Sequence, residues 1–134
     1  MDQSTDAPTS DLQEYWTLYF DGSLMAVGAG IGVILISPTR ERVEYAIRLH
    51  FRATNNIAEY EALVHGLIIA FKLGACRLFI RGDSELVVSQ VMKEASCHDN
   101  KMVAYCNKIR KLKERLDGLE LHHILRQDNL ATDY

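Results

Sequence analysis

The stretch from residue 77 to residue 90 limits the folds open to this chain more than any other part of the sequence. An apolar run at residues 78–80 stops at Gly82, the acid Asp83 follows, and an amphipathic segment begins at Ser84. This order predicts a short buried strand, a turn and a helix. Ligands of open α/β sheets collect at the carboxyl ends of strands, beside the crossover helices. Asp83 is therefore predicted to lie at such an edge.

The sequence nearer the N-terminus repeats this pattern. Residues 15–20 predict a strand that ends in Asp21, Gly22 and Ser23, and the small residues that follow predict a loop over residues 21–30. Two strands that each end in an aspartate would bring two carboxylates to one edge of a sheet.

Two further strands are predicted before the first helix. The apolar run at residues 31–36 suits a central strand, which Pro38 ends. Residues 43–51 alternate between apolar and polar side chains, which predicts a half-buried strand with Phe51 facing inward. Short turns join these strands to the first one, so the three are predicted to form an antiparallel meander.

The remaining elements complete an α/β fold. Helices are predicted at residues 56–73, from Ser84 onward with Leu86 facing inward, and at residues 101–116, and a last strand at residues 119–125. This order predicts a mixed five-stranded sheet, three antiparallel strands and then two parallel ones, flanked by helices. Residues 13–134 would form one domain, and residues 1–12 a disordered tail.

Composition excludes several classes of protein. No apolar run reaches the roughly 20 residues that a membrane-spanning helix needs, and the polar first ten residues do not resemble a secretory signal. The net charge of −3 does not by itself indicate a nucleic-acid binder. The three cysteines, Cys76, Cys97 and Cys106, are an odd number without metal-ligand spacing, which indicates reduced thiols rather than a disulfide framework. We therefore expect a cytoplasmic or nuclear protein that is not secreted and has no membrane partner.

Four acids lie at the boundaries of predicted elements: Asp21, Glu59, Asp83 and Asp133. Each has a purely structural explanation. Asp21 suits a turn, and Glu59 has the capping-box spacing from Asn56. Asp83 competes with Ser84 for the role of helix N-cap, and Asp133 suits a solvated tail. Taken singly, the structural explanations are favoured, because short motifs often match by chance.

Taken together, the acids favour a metal site. The predicted fold brings Asp21, Glu59 and Asp83 to one edge, where unpaired carboxylates would repel one another and raise their own pKa values. A divalent cation removes that repulsion, and Mg²⁺ prefers a few carboxylate oxygens beside water and phosphate oxygens. Two such ions, roughly 4 Å apart, hold the attacking and leaving oxygens of a displacement at phosphorus.

Four motifs in this order resemble the type I ribonuclease H family. They are Tyr19-Phe-Asp21-Gly-Ser23, Thr54-Asn-Asn56-x-Ala58-Glu59-Tyr60, Gly82-Asp83-Ser84, and Arg126-x-x-Asn129-x-x-x-Asp133. The spacing is most similar to the ribonuclease H domains of plant gypsy-class retrotransposon polyproteins, and the match runs from Trp16 to Tyr134. The resemblance implies a metal-dependent endoribonuclease that cleaves the RNA strand of RNA–DNA hybrids and leaves a 3′-hydroxyl and a 5′-phosphate.

The resemblance also implies the roles of individual residues. Asp21 would bridge two Mg²⁺ ions, for which Mn²⁺ is a substitute. Glu59 and Asp83 would complete the site of one ion, and Asp133 that of the other. A reverse transcriptase domain is the partner implied in the natural polyprotein. The residues implied to contact nucleic acid are Gly22, Ser23, Thr54, Asn55, Asn56, Ser84, Arg126 and Asn129.

A stripe of basic residues on the predicted helix 101–116 is a further candidate for substrate contact. It consists of Lys101, Lys108, Lys111 and Arg115. Phosphate contact and a solvated outer face explain this stripe about equally well.

Three features depart from the family pattern. Thr132 stands where alanine usually precedes the last aspartate, and the family's mobile histidine has no counterpart, because His122 and His123 fall in the predicted last strand. The chain also stops at Tyr134, which truncates the last helix, so Asp133 is expected to be mobile or displaced in the metal-free protein.

Two other functions remain open on the sequence alone. The first is a weakly active or inactive module of the same fold that binds nucleic acid or protein. The second is a generic α/β domain whose acids all cap helices or form turns.

Overall fold

The computed structural model describes residues 14–25, 28–93 and 100–133, and it contains a five-stranded sheet with three helices. The strands are β1 (Tyr15–Met25), β2 (Gly28–Ile36), β3 (Arg42–Arg48), β4 (Arg77–Gly82) and β5 (Gly118–His123). The helices are α1 (Asn55–Lys72), α2 (Glu85–Lys93) and α3 (Asn100–Lys113). Two 3-10 turns follow, at Arg126–Asp128 and Leu130–Asp133.

The sheet has the mixed topology that the sequence predicts. Its strand order is β3-β2-β1-β4-β5. β1 and β3 pair antiparallel with β2, whereas β4 pairs parallel with both β1 and β5. Helices α2 and α3 supply the crossover that the parallel pair β4–β5 requires. The predicted α/β fold with three antiparallel strands followed by two parallel ones is therefore confirmed.

The hydrophobic core holds α1 against the centre of the sheet. Alternate residues of β1 are fully buried, among them Leu18 and Phe20, and they cluster with buried α1 residues such as Leu63 and Leu67. A Cβ atom at Gly66 of α1 would lie 2.9 Å from Leu18 Cδ1, so α1 approaches β1 closely at that position. Each such buried side chain contributes roughly 1.5–3 kcal/mol, and this packing fixes the direction in which α1 begins.

β1 is longer than predicted. Residues 21–25, predicted as a loop, continue the strand and pair with β2 from Asp21 opposite Gly32 to Met25 opposite Gly28. The prediction was wrong because small residues carry little strand signal in their side chains, whereas the pairing uses only backbone groups. Asp21 therefore lies within a strand rather than in a turn.

Two predicted inward positions are also wrong. β3 alternates as expected, but it ends at Arg48, and Phe51 beyond it is 49% exposed. Leu86 in the first turn of α2 is 41% exposed, because the buried side of this helix is formed by Val87 and Val91, one turn apart.

Some expectations concern the kind of protein rather than its fold. None of the helices within the described ranges is long and apolar enough to cross a membrane. Cys76 is a free, exposed thiol, but Cys106 is disulfide-bonded. The expectation of a reduced thiol is wrong for Cys106, because an odd number of cysteines does not exclude one pair. The predicted tail at residues 1–12 lies outside the described residues.

Candidate active site

Three carboxylates from three different elements meet at one edge of the sheet. Asp21 lies in β1, Glu59 in the first turns of α1, and Asp83 between β4 and α2. One carboxylate oxygen from each of the three lies within 4.8 Å of the other two. The sequence predicted this convergence, and the structure places all three side chains as predicted.

The register of β1 and β4 places the two aspartates together. The parallel pairing of these strands ends at Phe20 opposite Gly82, and Asp21 and Asp83 are the residues that directly follow this last pair. On its other edge, β1 continues to pair with β2, which holds Asp21 in a rigid segment. Both carboxylates thus occupy the carboxyl end of the parallel pair, where open α/β sheets bind ligands.

A close approach of α1 to β1 positions the third carboxylate. The backbone N–H of Gly22 donates a hydrogen bond to Glu59 Oε1. A Cβ atom at position 22 would lie 2.2 Å from the carbonyl carbon of Ala58 and 2.4 Å from the Glu59 nitrogen, so only glycine permits this contact. Gly22 therefore fixes the position of the Glu59 carboxylate relative to Asp21.

The capping explanations for Glu59 and Asp83 are wrong. The N-cap of α1 is Thr54, whose Oγ1 accepts a hydrogen bond from the Ile57 N–H at 3.2 Å, and not Asn56. At the start of α2, Ser84 Oγ accepts from the Val87 N–H at 3.3 Å. Both helix starts are thus satisfied by hydroxyl groups, and neither carboxylate is needed for capping.

The cluster is buried, and two of its carboxylate oxygens lack hydrogen-bond partners. Asp21 and Glu59 are 4% and 7% exposed. Asp21 Oδ1 and Asp83 Oδ2 are buried atoms with no hydrogen bond. Burial, with the charge of Asp83 adding to it, raises the pKa of Asp21 to about 6, although the nearby Arg126 acts in the opposite direction. Burial also raises the pKa of Glu59 to about 8, against the effect of the Gly22 hydrogen bond.

These features fit a divalent cation. Buried carboxylate oxygens without partners are costly for a fold, and a hard cation such as Mg²⁺ binds oxygen ligands of this type. Binding would satisfy the free oxygens of Asp21 and Asp83. It would also favour the ionised forms of Asp21 and Glu59, whose pKa values are raised by burial and by neighbouring carboxylates.

The carboxylates line a cavity of about 520 Å³ that also contains many of the residues predicted to contact nucleic acid. Among the described residues, its lining consists of Asp21, Gly22, Ser23, Leu24, Asn55, Asn56, Glu59, Asp83, Ser84, His123, Ile124, Leu125 and Arg126. The cavity thus combines acidic groups with small residues and side-chain amides.

Other predicted contact residues lie elsewhere. Asn129 is 5% exposed, and its amide donates to the Phe20 carbonyl at 3.0 Å and accepts from the Ala131 N–H at 3.1 Å. It fastens the C-terminal turn to β1, and both its amide nitrogen and its amide oxygen form hydrogen bonds within the protein. Thr54 uses its hydroxyl as the cap of α1, at the side of the cavity.

The residues of the basic stripe that the structure describes do not line the cavity. Lys108 and Lys111 are exposed and do not line it. The Arg115 guanidinium lies over the Phe71 ring, 4.7 Å from its centroid. Phe71 is near the end of α1, twelve positions after Glu59, which corresponds to roughly 18 Å along the helix axis. The side chains of Lys101 and Asp133 lie outside the described part of the structure, so the prediction of a mobile Asp133 stays a prediction.

His123 is a cavity residue that the sequence analysis did not identify. It is the last residue of β5, is exposed, and lines the cavity with the carboxylates. The predicted last strand extended to residue 125, so His123 was placed inside the strand rather than at its end. The parallel register shows its position, since His123 lies opposite Gly82, directly before Asp83.

This fold and acidic edge define a domain of the type I ribonuclease H class, and comparisons with known proteins agree. The reverse transcriptase-like family matches residues 20–134, and the chain belongs to it. The uncharacterized protein YpeP of Bacillus subtilis is 34% identical over 125 residues, which cover 87% of this chain and 55% of that protein. Ribonuclease HI of Halobacterium salinarum is 32% identical over 117 residues, 86% of this chain and 59% of that enzyme.

Solved structures show the same relationship. The crystal structure of RNase H1 from Halobacterium salinarum superposes with a TM-score of 0.81 at 32% identity, over 89% of this chain and 92% of that chain. LC11-RNase H1 in complex with an RNA/DNA hybrid superposes with a TM-score of 0.78 at 30% identity, over 88% and 91%. The chain spans little more than half the length of the two curated relatives, 55% and 59%.

Proposed function

We propose that this domain is a metal-dependent endoribonuclease that hydrolyses the RNA strand of RNA–DNA hybrids. The observation that carries the proposal is the meeting of Asp21, Glu59 and Asp83 in one cavity, with two buried carboxylate oxygens that lack hydrogen bonds. The relatives support the substrate, since one is named ribonuclease HI and another was solved with an RNA/DNA hybrid.

The carboxylates would hold two divalent ions. Asp21 would bridge both, Glu59 and Asp83 would complete the site of one, and Asp133 that of the other. When bound, Mg²⁺ or Mn²⁺ would lower the pKa of an attacking water and neutralise charge that develops on the phosphodiester. The Gly22 N–H keeps Glu59 oriented, so this ligand needs little reordering. Loading also requires Asp21 and Glu59 to lose their protons, because burial raises the pKa of both.

The cavity lining suits the recognition of ribose. Gly22 and Ser23 have small side chains that let a sugar–phosphate backbone approach the carboxylates, and the amides of Asn55 and Asn56 carry both donors and acceptors. A 2′-hydroxyl needs both kinds of partner, and it is the group that distinguishes RNA from DNA. The products would be a 3′-hydroxyl and a 5′-phosphate.

A cleavage assay with end-labelled RNA annealed to DNA tests this proposal. We expect cleavage of the hybrid in millimolar Mg²⁺, none with a chelator, and none of a DNA duplex of the same sequence. Asp83→Asn should abolish cleavage, whereas Asp117→Asn, which changes an exposed acid outside the cavity, should not. Metal-independent binding of the hybrid without cleavage would instead support the weakly active binding module.

We also propose that the domain derives from a gypsy-class retrotransposon polyprotein, with a reverse transcriptase domain as partner and a cytoplasmic or nuclear location. The motif spacing and the description of the matching family as reverse transcriptase-like support this origin. Sequencing the natural transcript around this region tests it. A polymerase domain in the same reading frame is expected, and a transcript that encodes no such domain would contradict the proposal.

A further inference from the structure

Arg126 is the lining residue of the described cavity that carries a permanent positive charge. Its Nη1 lies 3.8 Å from Asp83 Oδ2, and its side chain is 66% exposed, compared with 9% for Asp83. Burial is the largest influence on the pKa of Asp21, and Arg126 acts against it by lowering that pKa. The guanidinium therefore partly balances the charge of two carboxylates.

The backbone of Arg126 is held by hydrogen bonds, and its side chain is largely exposed. The Arg126 carbonyl accepts hydrogen bonds from the Asn129 N–H at 3.1 Å and the Thr132 hydroxyl at 3.3 Å. Asn129 in turn donates to the carbonyl of Phe20, the residue before Asp21. The backbone of Arg126 is thus connected to β1, while its guanidinium is exposed beside Asp83.

The ion pair is too long to satisfy Asp83. A charge-assisted hydrogen bond between a guanidinium and a carboxylate is about 2.7–2.9 Å long, whereas this contact measures 3.8 Å and leaves Asp83 Oδ2 without a hydrogen bond. The arginine neutralises the oxygen at a distance without occupying its lone pairs. A cation that binds Asp83 Oδ2 directly can therefore replace the Arg126 guanidinium as its counter-ion.

We propose that Arg126 is a resident counter-ion that competes with divalent metal for Asp83 and so sets the metal affinity of the site. This inference rests on the proposed function, since it assumes that the carboxylates bind metal. In the metal-free protein, the guanidinium stabilises the ionised cluster. Metal binding must overcome this attraction and the repulsion between the guanidinium and the incoming ion. The protein would thus bind metal less tightly than its carboxylates alone would allow.

Calorimetric titration of the metal-free protein with Mn²⁺ in low salt tests this inference without measuring catalysis. Arg126→Gln keeps a polar side chain without the charge, and we expect it to lower the Kd for Mn²⁺ by about tenfold. Arg126→Lys, which keeps the charge, should stay closer to the wild type. Arg42→Ala is the matched control, because Arg42 is an exposed arginine paired with Glu44 on β3, away from the cavity.

Salt and heat provide two further readouts. The difference between wild type and Arg126→Gln should shrink as ionic strength rises, because exposed charges are screened. Saturating Mn²⁺ should raise the melting temperature of Arg126→Gln more than that of the wild type, since tighter binding to the folded state stabilises it more.

The results separate the two proposals. A wild-type protein that binds no Mn²⁺ would overturn the proposed function. Wild-type binding with an unchanged or raised Kd in Arg126→Gln would overturn only the role of Arg126 as a competitor. The Arg126 side chain is exposed. A folding defect in Arg126→Gln can therefore be excluded by measuring the melting temperature of this variant without metal.

Discussion

The two ends of the sheet differ in whether their charged side chains are paired. At the amino ends of β1 and β4, Glu14 forms an ion pair with Arg77, and the Tyr15 ring stacks on Phe79 with 4.4 Å between centroids. At the carboxyl ends, three carboxylates meet in a cavity, and the ion pair of Asp83 with Arg126 is 3.8 Å long. Folding alone favours paired charges, so the acidic edge is retained at a cost in stability, which is typical of a functional site.

The largest expected effect comes from neutralising the acidic edge. Asp21→Asn should lower the rate of hybrid cleavage at least about a hundredfold, because it removes a shared metal ligand. It should leave the metal-free melting temperature unchanged or higher, because it removes repulsion within the cluster. The comparison variant is Glu14→Gln at the opposite end of the sheet, which should cleave at the wild-type rate. A marked loss of stability in Asp21→Asn would favour a structural role for this residue.

The contact between β1 and α1 should give the next largest effect. Gly22→Ala places a methyl group 2.2 Å from the Ala58 carbonyl carbon, so α1 must shift at the turn that carries Glu59. We expect a loss of about 2–4 kcal/mol in the free energy of unfolding, with a loss of cleavage. Gly30→Ala is the control in the neighbouring strand, because its nearest neighbour, Ile47 O, would be 3.7 Å away. Equal denaturation midpoints for the two variants would contradict this account.

The acidic edge should also make stability depend on pH. Burial raises the pKa of Glu59 from 4.5 to about 8 and that of Asp21 from 3.8 to about 6. A folded state that binds these protons more tightly than the unfolded chain is stabilised at low pH and loses that stability as pH rises through the folded pKa values. The melting temperature of the metal-free protein should therefore fall between pH 4.5 and pH 8, by more than about 5 °C.

Two controls isolate the cause of this pH dependence. Glu59→Gln should remove most of the slope, because Glu59 has the larger shift in pKa. Saturating Mg²⁺ should reverse the slope, because a bound cation favours the ionised carboxylates. If the melting temperature of the metal-free wild-type protein instead rises from pH 4.5 to pH 8, groups other than Glu59 and Asp21 dominate the pH dependence of stability.

The smallest effect is expected at the opposite end of the sheet. Arg77→Met removes the charge of the ion pair with Glu14 while keeping much of the buried stem of the side chain. Because Glu14 is more than half exposed, the loss in the free energy of unfolding should be no more than about 1 kcal/mol. Cleavage should not change. A greater loss of stability in Arg77→Met than in Gly22→Ala would contradict the proposed contrast between the two ends of the sheet.

The fold could be predicted because its signals lie in side-chain periodicity. The alternation in β3, the apolar strand before Gly82 and the long apolar side of α1 all depend on which residues are buried. The predictions failed where backbone geometry decides. The continuation of β1 past Asp21 depends on pairing with the glycines of β2, and no side-chain pattern indicates that pairing.

The same distinction explains the site. Asp21 and Asp83 each follow a short apolar run, and Glu59 lies near the start of a predicted helix, so the sequence sufficed to place them at one edge. Asn129 was predicted to contact nucleic acid, and its motif alone does not reveal that its amide donates a hydrogen bond to the Phe20 carbonyl. His123 was missed because its position depends on where β5 stops, and element ends are the least certain feature of a sequence pattern.

The hydrogen bond from Asn129 to Phe20 joins residues that are 109 positions apart. During synthesis the β1–β3 meander can form from local contacts, but Asp83 reaches Asp21 only after β4 has emerged and paired with β1. The C-terminal turn is fastened later still, and such distant contacts form slowly because they close long loops. A nascent chain should therefore contain Asp21 and Glu59 for some time before the third carboxylate reaches them, and the complete acidic cluster should be among the last features of the domain to form.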